Sequence, residues 1–129
     1  MMGNFHIVSN NPMVAEKYPD LTEFEENSTV KDIFSEGRNS VHLGANLINH
    51  PLAGSIKPNQ SPYKSLVLSD NKGELDMFSL KLIEGALQVL KKFPPRGIKY
   101  DEQTLEDFQV IDLDLLDSAI DSLPYEYHE

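Results

Sequence analysis

The sequence predicts a single α/β domain in which a mostly parallel, four-stranded sheet is flanked by helices. Three observations support this fold class. The chain has 129 residues, which suits one domain with one sizeable core. Short runs of β-branched and aromatic residues alternate with segments of helical spacing, and one such segment is long enough to cover a sheet. Alternating strands and helices favour parallel pairing, since each helix returns the chain to the same end of the sheet.

The first strand and the first helix are predicted near the beginning of the chain. Residues 5–9 (FHIVS) are short, apolar and bounded by polar turn formers, as expected of a buried strand. Asn11 is a suitable helix cap, and Pro12 suits the first helical position, where no N–H is needed. A short helix should therefore run from Pro12 to near Pro19.

A second strand and a second helix follow. Residues 21–25 (LTEFE) alternate between apolar and polar side chains, which indicates a strand with one buried face. The next helix is expected to be capped by Ser28 and to reach Gly37. Residues 38–44 (RNSVHLG) either continue this helix or break into a second turn.

The C-terminal half is dominated by helical patterns. Residues 76–93 show the strongest one, with Asp76 as the expected cap and an apolar face at helical spacing. The residues of that face are Met77, Leu80, Ile83, Leu87 and Leu90. Residues 104–123 repeat apolar side chains in the same way and should form further helix in two pieces. The domain then spans residues 1–123, and 124–129 (PYEYHE) are expected to form a polar tail that frays.

Two further strands are predicted on either side of a long loop. They are residues 45–50 (ANLINH) and 65–69 (SLVLS), which complete the order β-α-β-α-β-loop-β-α-α of a Rossmann-like domain. The loop, residues 50–65 (HPLAGSIKPNQSPYKS), contains three prolines, which lower the entropy lost on holding a bound shape. Connections this long are usually functional or disordered, so we interpret it as a functional surface. The alternative is a packed surface loop that the prolines merely stiffen.

The expected binding site combines this loop with the turn after the first strand. In open parallel sheets, ligands bind beyond the carboxyl ends of the strands, where residues 9–12 (SNNP) and the long loop would meet. Lys57 and Lys64 supply positive charge for a small anion, and Gly54 allows backbone conformations closed to other residues. The candidate binding residues are Asn10, Asn11, His50, Gly54, Ser55, Lys57, Asn59, Tyr63 and Lys64.

Composition and charge exclude several classes of protein. The chain has 11 basic and 21 acidic residues, so its net charge of −10 disfavours nucleic-acid and anionic-membrane surfaces. The lack of cysteine excludes thiol catalysis, disulfides and cysteine-ligated metals. No signal-peptide pattern and no apolar run near the roughly 20 residues that cross a bilayer is found, so a cytoplasmic protein is expected.

No metal site or cofactor is expected from the histidine spacing. We interpret Asp112, Asp114 and Asp117 as a solvated helix face.

Residues 9–12, 50–69 (HPLAGSIKPNQSPYKSLVLS) and 105–120 (LEDFQVIDLDLLDSAI) carry a resemblance that spans nearly the whole chain. In these segments the sequence resembles the GrdX family, small proteins encoded beside the glycine, sarcosine and betaine reductase components of amino-acid-fermenting anaerobes. The resemblance implies a cytoplasmic accessory protein of a selenium-dependent reductase system, and it carries over no catalytic residues. The reductase chemistry uses selenocysteine and cysteine on other proteins, which agrees with a chain that has no cysteine.

Two hypotheses about function follow. The first is a non-redox accessory protein that recognises a reductase component or a small anion through residues 50–65. The alternative is a small enzyme acting on a phosphorylated or acyl intermediate, with His50 as general base and Lys57 as charge stabiliser. An enzyme needs His50, Ser55 and Lys57 to converge in a cleft, whereas a docking surface would present the loop outward. The sequence leaves open whether the chain forms a homo-oligomer.

Overall fold

The computed structural model describes residues 4–53 and 59–123, in which helices cover both faces of a small sheet. In chain order the elements are β1 (Phe5–Ser9), α1 (Pro12–Lys17), β2 (Thr22–Phe24), α2 (Val30–His42), β3 (Ser65–Ser69), α3 (Met77–Lys92) and α4 (Glu102–Asp121). The fold class is therefore α/β. Residues 124–129, where a polar tail was expected, lie outside the described residues.

The sheet differs from the predicted one in size and in direction. The described residues form a mixed sheet of three strands in the order β2-β1-β3. β1 pairs in parallel with β2, with Val8 opposite Glu23, and in antiparallel with β3, with Ile7 opposite Val67. The prediction of a mostly parallel, four-stranded, Rossmann-like sheet is wrong, since only one pair of strands is parallel.

The predicted strand at residues 45–50 is reduced to a single bridge between Leu47 and Leu68. The side chain of Asn49 takes over the next positions along β3. Its Oδ1 accepts the N–H of Val67 at 2.8 Å, and its Nδ2 donates to the carbonyl of Ser65 at 3.0 Å. Because a side chain already satisfies the edge of β3, and Pro51 has no N–H to offer, the ladder of a regular strand does not form.

The direction of β3 follows from the same contacts. The bridge at Leu47 is antiparallel, so the chain must reverse between this segment and β3. β3 begins at Ser65, opposite Ser9 at the carboxyl end of β1. The last residues of the long loop therefore meet the turn after β1, where Asn10 bonds to the backbones of Pro62 and Lys64.

Two of the helix starts agree with the local sequence signals. Asn11 caps α1 by accepting the N–H of Met13 at 3.0 Å, and Pro12 holds the first helical position, as predicted. Asp76 caps α3, and its carboxylate accepts the N–H of Ser79 at 3.2 Å.

The other two helices correct the prediction. α2 is capped by Thr29 rather than Ser28, in a reciprocal capping box with Asp32. It runs to His42, so most of residues 38–44 continue the helix. α4 is one helix instead of two pieces, because a single cap at Asp101 starts it and it contains neither proline nor glycine.

Two apolar clusters lie on opposite faces of the sheet. Successive residues of a strand point to opposite sides, so Val8 faces α2 and α3 whereas Ile7 faces α1 and α4. The larger cluster contains Val8, Val30, Ile33, Phe34, Val41, Ala45, Leu47, Leu66, Leu68, Ile83, Ala86 and Leu90. The smaller one contains Ile7, Val14, Val67, Leu116 and Leu123. No helix of the described part has both the length and the apolar character needed to cross a membrane.

The predicted buried face of α3 is confirmed from its second turn onward. Ile83 is fully buried, Leu90 is buried, and Leu80 and Leu87 pack partly against the larger cluster. Met77 is 55% exposed, so its predicted burial is wrong. Met77 is the first residue of α3, and the α3 residues that join the larger cluster begin at Leu80.

Candidate functional site

Four polar side chains are buried together where β1 ends, β3 begins and α4 crosses the sheet. The hydroxyl of Ser65 donates to Oδ2 of Asp112 at 2.7 Å, and Nδ2 of Asn11 donates to the same oxygen at 3.0 Å. The hydroxyls of Ser9 and Ser65 lie 2.7 Å apart, and the backbone N–H of Asn11 donates to Oγ of Ser9 at 3.0 Å. These bonds hold the Asp112 carboxylate in one orientation.

Asn11 connects the start of α1 to this cluster. Its Oδ1 is the helix cap, and its Nδ2 is left to donate to the carbonyl of Gln109 at 2.9 Å as well as to Asp112. Each end of the amide therefore has a separate structural task. The turn that the sequence places after β1 thus also fixes the position of α4.

The Asp112 carboxyl group is strongly affected by its burial. The side chain is only 7% exposed, and burial raises its pKa above the ordinary range of an aspartate. The hydrogen bonds from Asn11 and Ser65 and the charge of Lys64 oppose that rise. The side-chain hydrogen bonds from Asn11 and Ser65 both end on Oδ2. Oδ1 therefore has no side-chain donor among the described residues.

Asp112 lines a cleft of about 650 Å³, within the range of roughly 300–1,000 Å³ typical of small-molecule sites. The cleft is bordered by α4, the start of α3 and residues 46–53. Its polar lining includes His50, Lys64, Ser65 and Asp112. Apolar walls are supplied by Leu47, Ile48, Phe78, Leu115, Leu116 and Ala119. An apolar cleft with a few convergent polar groups is the usual form of a binding site.

Lys64 brings a positive charge to the cleft. The side chain is half-buried, and burial lowers the pKa of its ammonium, which the negative charge of Asp112 raises in part. The described residues form ion pairs at His6–Asp70, Lys17–Asp117 and Arg38–Glu84, and Lys64 takes part in none of them. Lys64 and Asp112 are therefore electrostatically linked without touching.

His50 lines the cleft, and a backbone hydrogen bond selects the tautomer of its neutral ring. Its Nδ1 accepts the backbone N–H of Leu52 at 3.1 Å, so that nitrogen carries no proton. In the neutral ring the proton must then be on Nε2. His50 can therefore donate a hydrogen bond to a ligand from Nε2.

The other predicted site residues have different positions. Asn10 joins the turn to the loop: its Nδ2 donates to the carbonyls of Ser28 and Pro62, both at 2.8 Å, and its Oδ1 accepts the N–H of Lys64 at 3.0 Å. The Tyr63 hydroxyl accepts a hydrogen bond from Nε2 of Gln109 at 2.8 Å.

The prediction that all nine residues form one binding site remains a prediction. Asn59 lines a second cleft, formed with residues 28–30 and 95–100, and so stands apart from His50. Gly54, Ser55 and Lys57 lie outside the described residues. Within residues 4–53 and 59–123, no group of three or more His, Asp or Glu side chains could hold a metal ion.

Sequence reasoning missed Asp112, Ser9 and Ser65. The interpretation of Asp112 as part of a solvated face is wrong, because the side chain is buried against the sheet. A signal was present, since Asp112 lies four residues after Phe108 and four before Leu116, on the apolar stripe of α4. A carboxylate at such a position needs partners, and the sequence did not show which residues would provide them.

The fold and the cleft define a small α/β protein with one buried carboxylate and one half-buried ammonium in the same cleft. A family model described as GrdX-like protein matches residues 6–121, which is nearly the whole chain, and the chain belongs to this family. The family name links it to glycine reductase systems. No curated protein and no solved structure matches the chain.

Proposed function

We propose that this chain is a non-redox accessory protein of a glycine, sarcosine or betaine reductase system. In this proposal, residues 50–65 recognise a reductase component or a small anion. The family membership supports the reductase context. The sequence contains no cysteine, so a thiol-dependent redox step would use groups of another component.

The observation that carries the recognition role is the state of Lys64. Its ammonium is partly withdrawn from water, lines a cleft, and has no ion-pair partner among the described residues. Burying a charge without a partner is costly, and a structural lysine would usually extend its ammonium into water. An incoming negative group would offset that cost. The same loop is tied to the turn after β1 through Asn10, which holds Lys64 in place.

Co-purification tests this proposal. The tagged chain is used as bait in an extract of cells that are fermenting glycine, and the captured proteins are identified by mass spectrometry. We expect glycine, sarcosine or betaine reductase components to be enriched, and the Lys64→Gln variant to capture less of them. Lys31→Gln, at an exposed position of α2, is the matched control and should capture as much as the unmodified chain. Enrichment of no reductase component would refute the proposal.

A small enzyme is the second candidate, and the lowered pKa of Lys64 favours it. Burial shifts this lysine toward the neutral form that acts as a base or a nucleophile. In this candidate Lys64 replaces His50 as the base, because the proton on Nε2 makes His50 a donor. Lys57, the predicted charge stabiliser, lies outside the described residues. Incubation with acetyl phosphate tests this candidate, because phosphate release that Lys64→Gln abolishes would support catalysis on an acyl intermediate.

A further inference from the structure

We propose that the cleft binds a small zwitterion of the α-amino-acid class, with its ammonium at Asp112 and its carboxylate at Lys64 and His50. This inference rests on the proposed function, because it names the ligand of the same cleft. The geometry that supports it is a negative and a positive group that share one cleft without pairing with each other.

The negative end of the site is prepared for a cationic donor. The two side-chain donors to Asp112, Ser65 and Asn11, both bond to Oδ2 and fix the plane of the carboxylate, so Oδ1 has no side-chain donor among the described residues. Burial disfavours the charged form of Asp112, because the carboxylate loses contact with water. A ligand ammonium that donates to Oδ1 would offset this desolvation cost.

The positive end of the site is prepared for an acceptor. Lys64 supplies an ammonium with no ion-pair partner in the described part of the chain, and its backbone is held by Asn10. His50 adds a neutral N–H donor at the rim, since its Nδ1 is used by Leu52. A carboxylate that accepts from both groups would be bound by charge and by direction.

Asn49 and Asp76, two other polar residues of the lining, already have hydrogen-bond partners within the fold. Asp76 also borders the cleft, but its Oδ2 accepts the N–H of Ser79 at 3.2 Å and the hydroxyl of Ser79 at 2.6 Å, as the cap of α3. The apolar walls, including Ile48, Leu115 and Ala119, offer room for an uncharged side chain between or beside the two charges. A simple anion would be attracted by Lys64 but repelled by Asp112. A simple cation would be attracted by Asp112 but repelled by Lys64.

Isothermal titration calorimetry with three probes tests the inference. Alanine carries both charges, propionate keeps only the carboxylate, and ethylamine keeps only the ammonium. We expect alanine to bind roughly tenfold or more tightly than either half, as the gain of one further charged hydrogen bond implies. Asp112→Asn should lower the affinity for alanine by a similar factor without lowering the affinity for propionate. Lys64→Gln should lower the affinity for alanine without lowering the affinity for ethylamine.

Exposed neighbours provide the controls. Asp114 is an exposed residue of the same helix as Asp112, and Lys81 is an exposed lysine of α3, so Asp114→Asn and Lys81→Gln should both bind alanine like the unmodified chain.

Equal affinity for alanine and propionate would show a plain anion site, and equal affinity for alanine and ethylamine would show a plain cation site. Either result, or no binding of any probe by the folded chain, overturns the inference. Capture of reductase components is a separate readout, so the proposed function can hold where this inference fails.

Discussion

Replacing Asp112 should separate its role as a hydrogen-bond acceptor from its role as a charge. In Asp112→Ala, Ser65 loses its acceptor and one N–H of Asn11 loses its partner, while the other N–H of Asn11 still donates to Gln109. Each buried group left unpaired costs about 1–3 kcal/mol, so the two together should lower the free energy of unfolding by about 2–6 kcal/mol. In Asp112→Asn the amide oxygen can accept from both donors, and the change should stay within about 1 kcal/mol or be stabilising.

The pH dependence of stability provides the second half of this prediction. Burial raises the pKa of Asp112 in the folded chain. Between the ordinary pKa of an aspartate and the raised value, the folded chain holds a proton that the unfolded chain has released. Raising the pH through that window therefore lowers the free energy of unfolding, and Asp112→Asn should remove this part of the dependence.

Urea unfolding followed by circular dichroism, at several pH values, measures both effects. Asp114→Asn, on the exposed face of α4, is the control and should change stability little at any pH. Equal losses for Asp112→Ala and Asp112→Asn would refute the acceptor role. An Asp112→Asn variant whose stability depends on pH just as that of the unmodified chain does would refute the buried-charge argument.

Three further predictions concern the core and the loop. Ile83→Ala should lower the free energy of unfolding by about 2–5 kcal/mol, because Ile83 is fully buried, and a loss below about 0.5 kcal/mol in denaturant unfolding would contradict its place in the core. Met77→Ala should cost less than about 0.5 kcal/mol in the same assay, since Met77 is mostly exposed. Lys57→Ala should weaken anion or partner binding, measured by titration calorimetry, with nearly unchanged melting temperature; a variant that unfolds would show that this lysine is structural.

Local sequence signals determined where most elements lie. β1 covers the five predicted residues, Asn11 and Pro12 start α1, and Asp76 starts α3. Each of these signals acts between residues a few positions apart, through a cap, a fixed proline φ or an apolar repeat. Such effects are readable in the sequence because both partners lie in the same short stretch.

Only the tertiary structure decided how the strands pair and what the site contains. β3 runs antiparallel to β1 because the chain reverses between Leu47 and β3. The predicted strand at residues 45–50 is reduced to a bridge because the Asn49 side chain occupies the edge of β3. Asp112 is a buried carboxylate rather than a surface one because Asn11, 101 positions earlier in the chain, and Ser65 meet it at the end of the sheet. Contacts between residues so far apart depend on how the layers pack, and no pattern within a single segment specifies them.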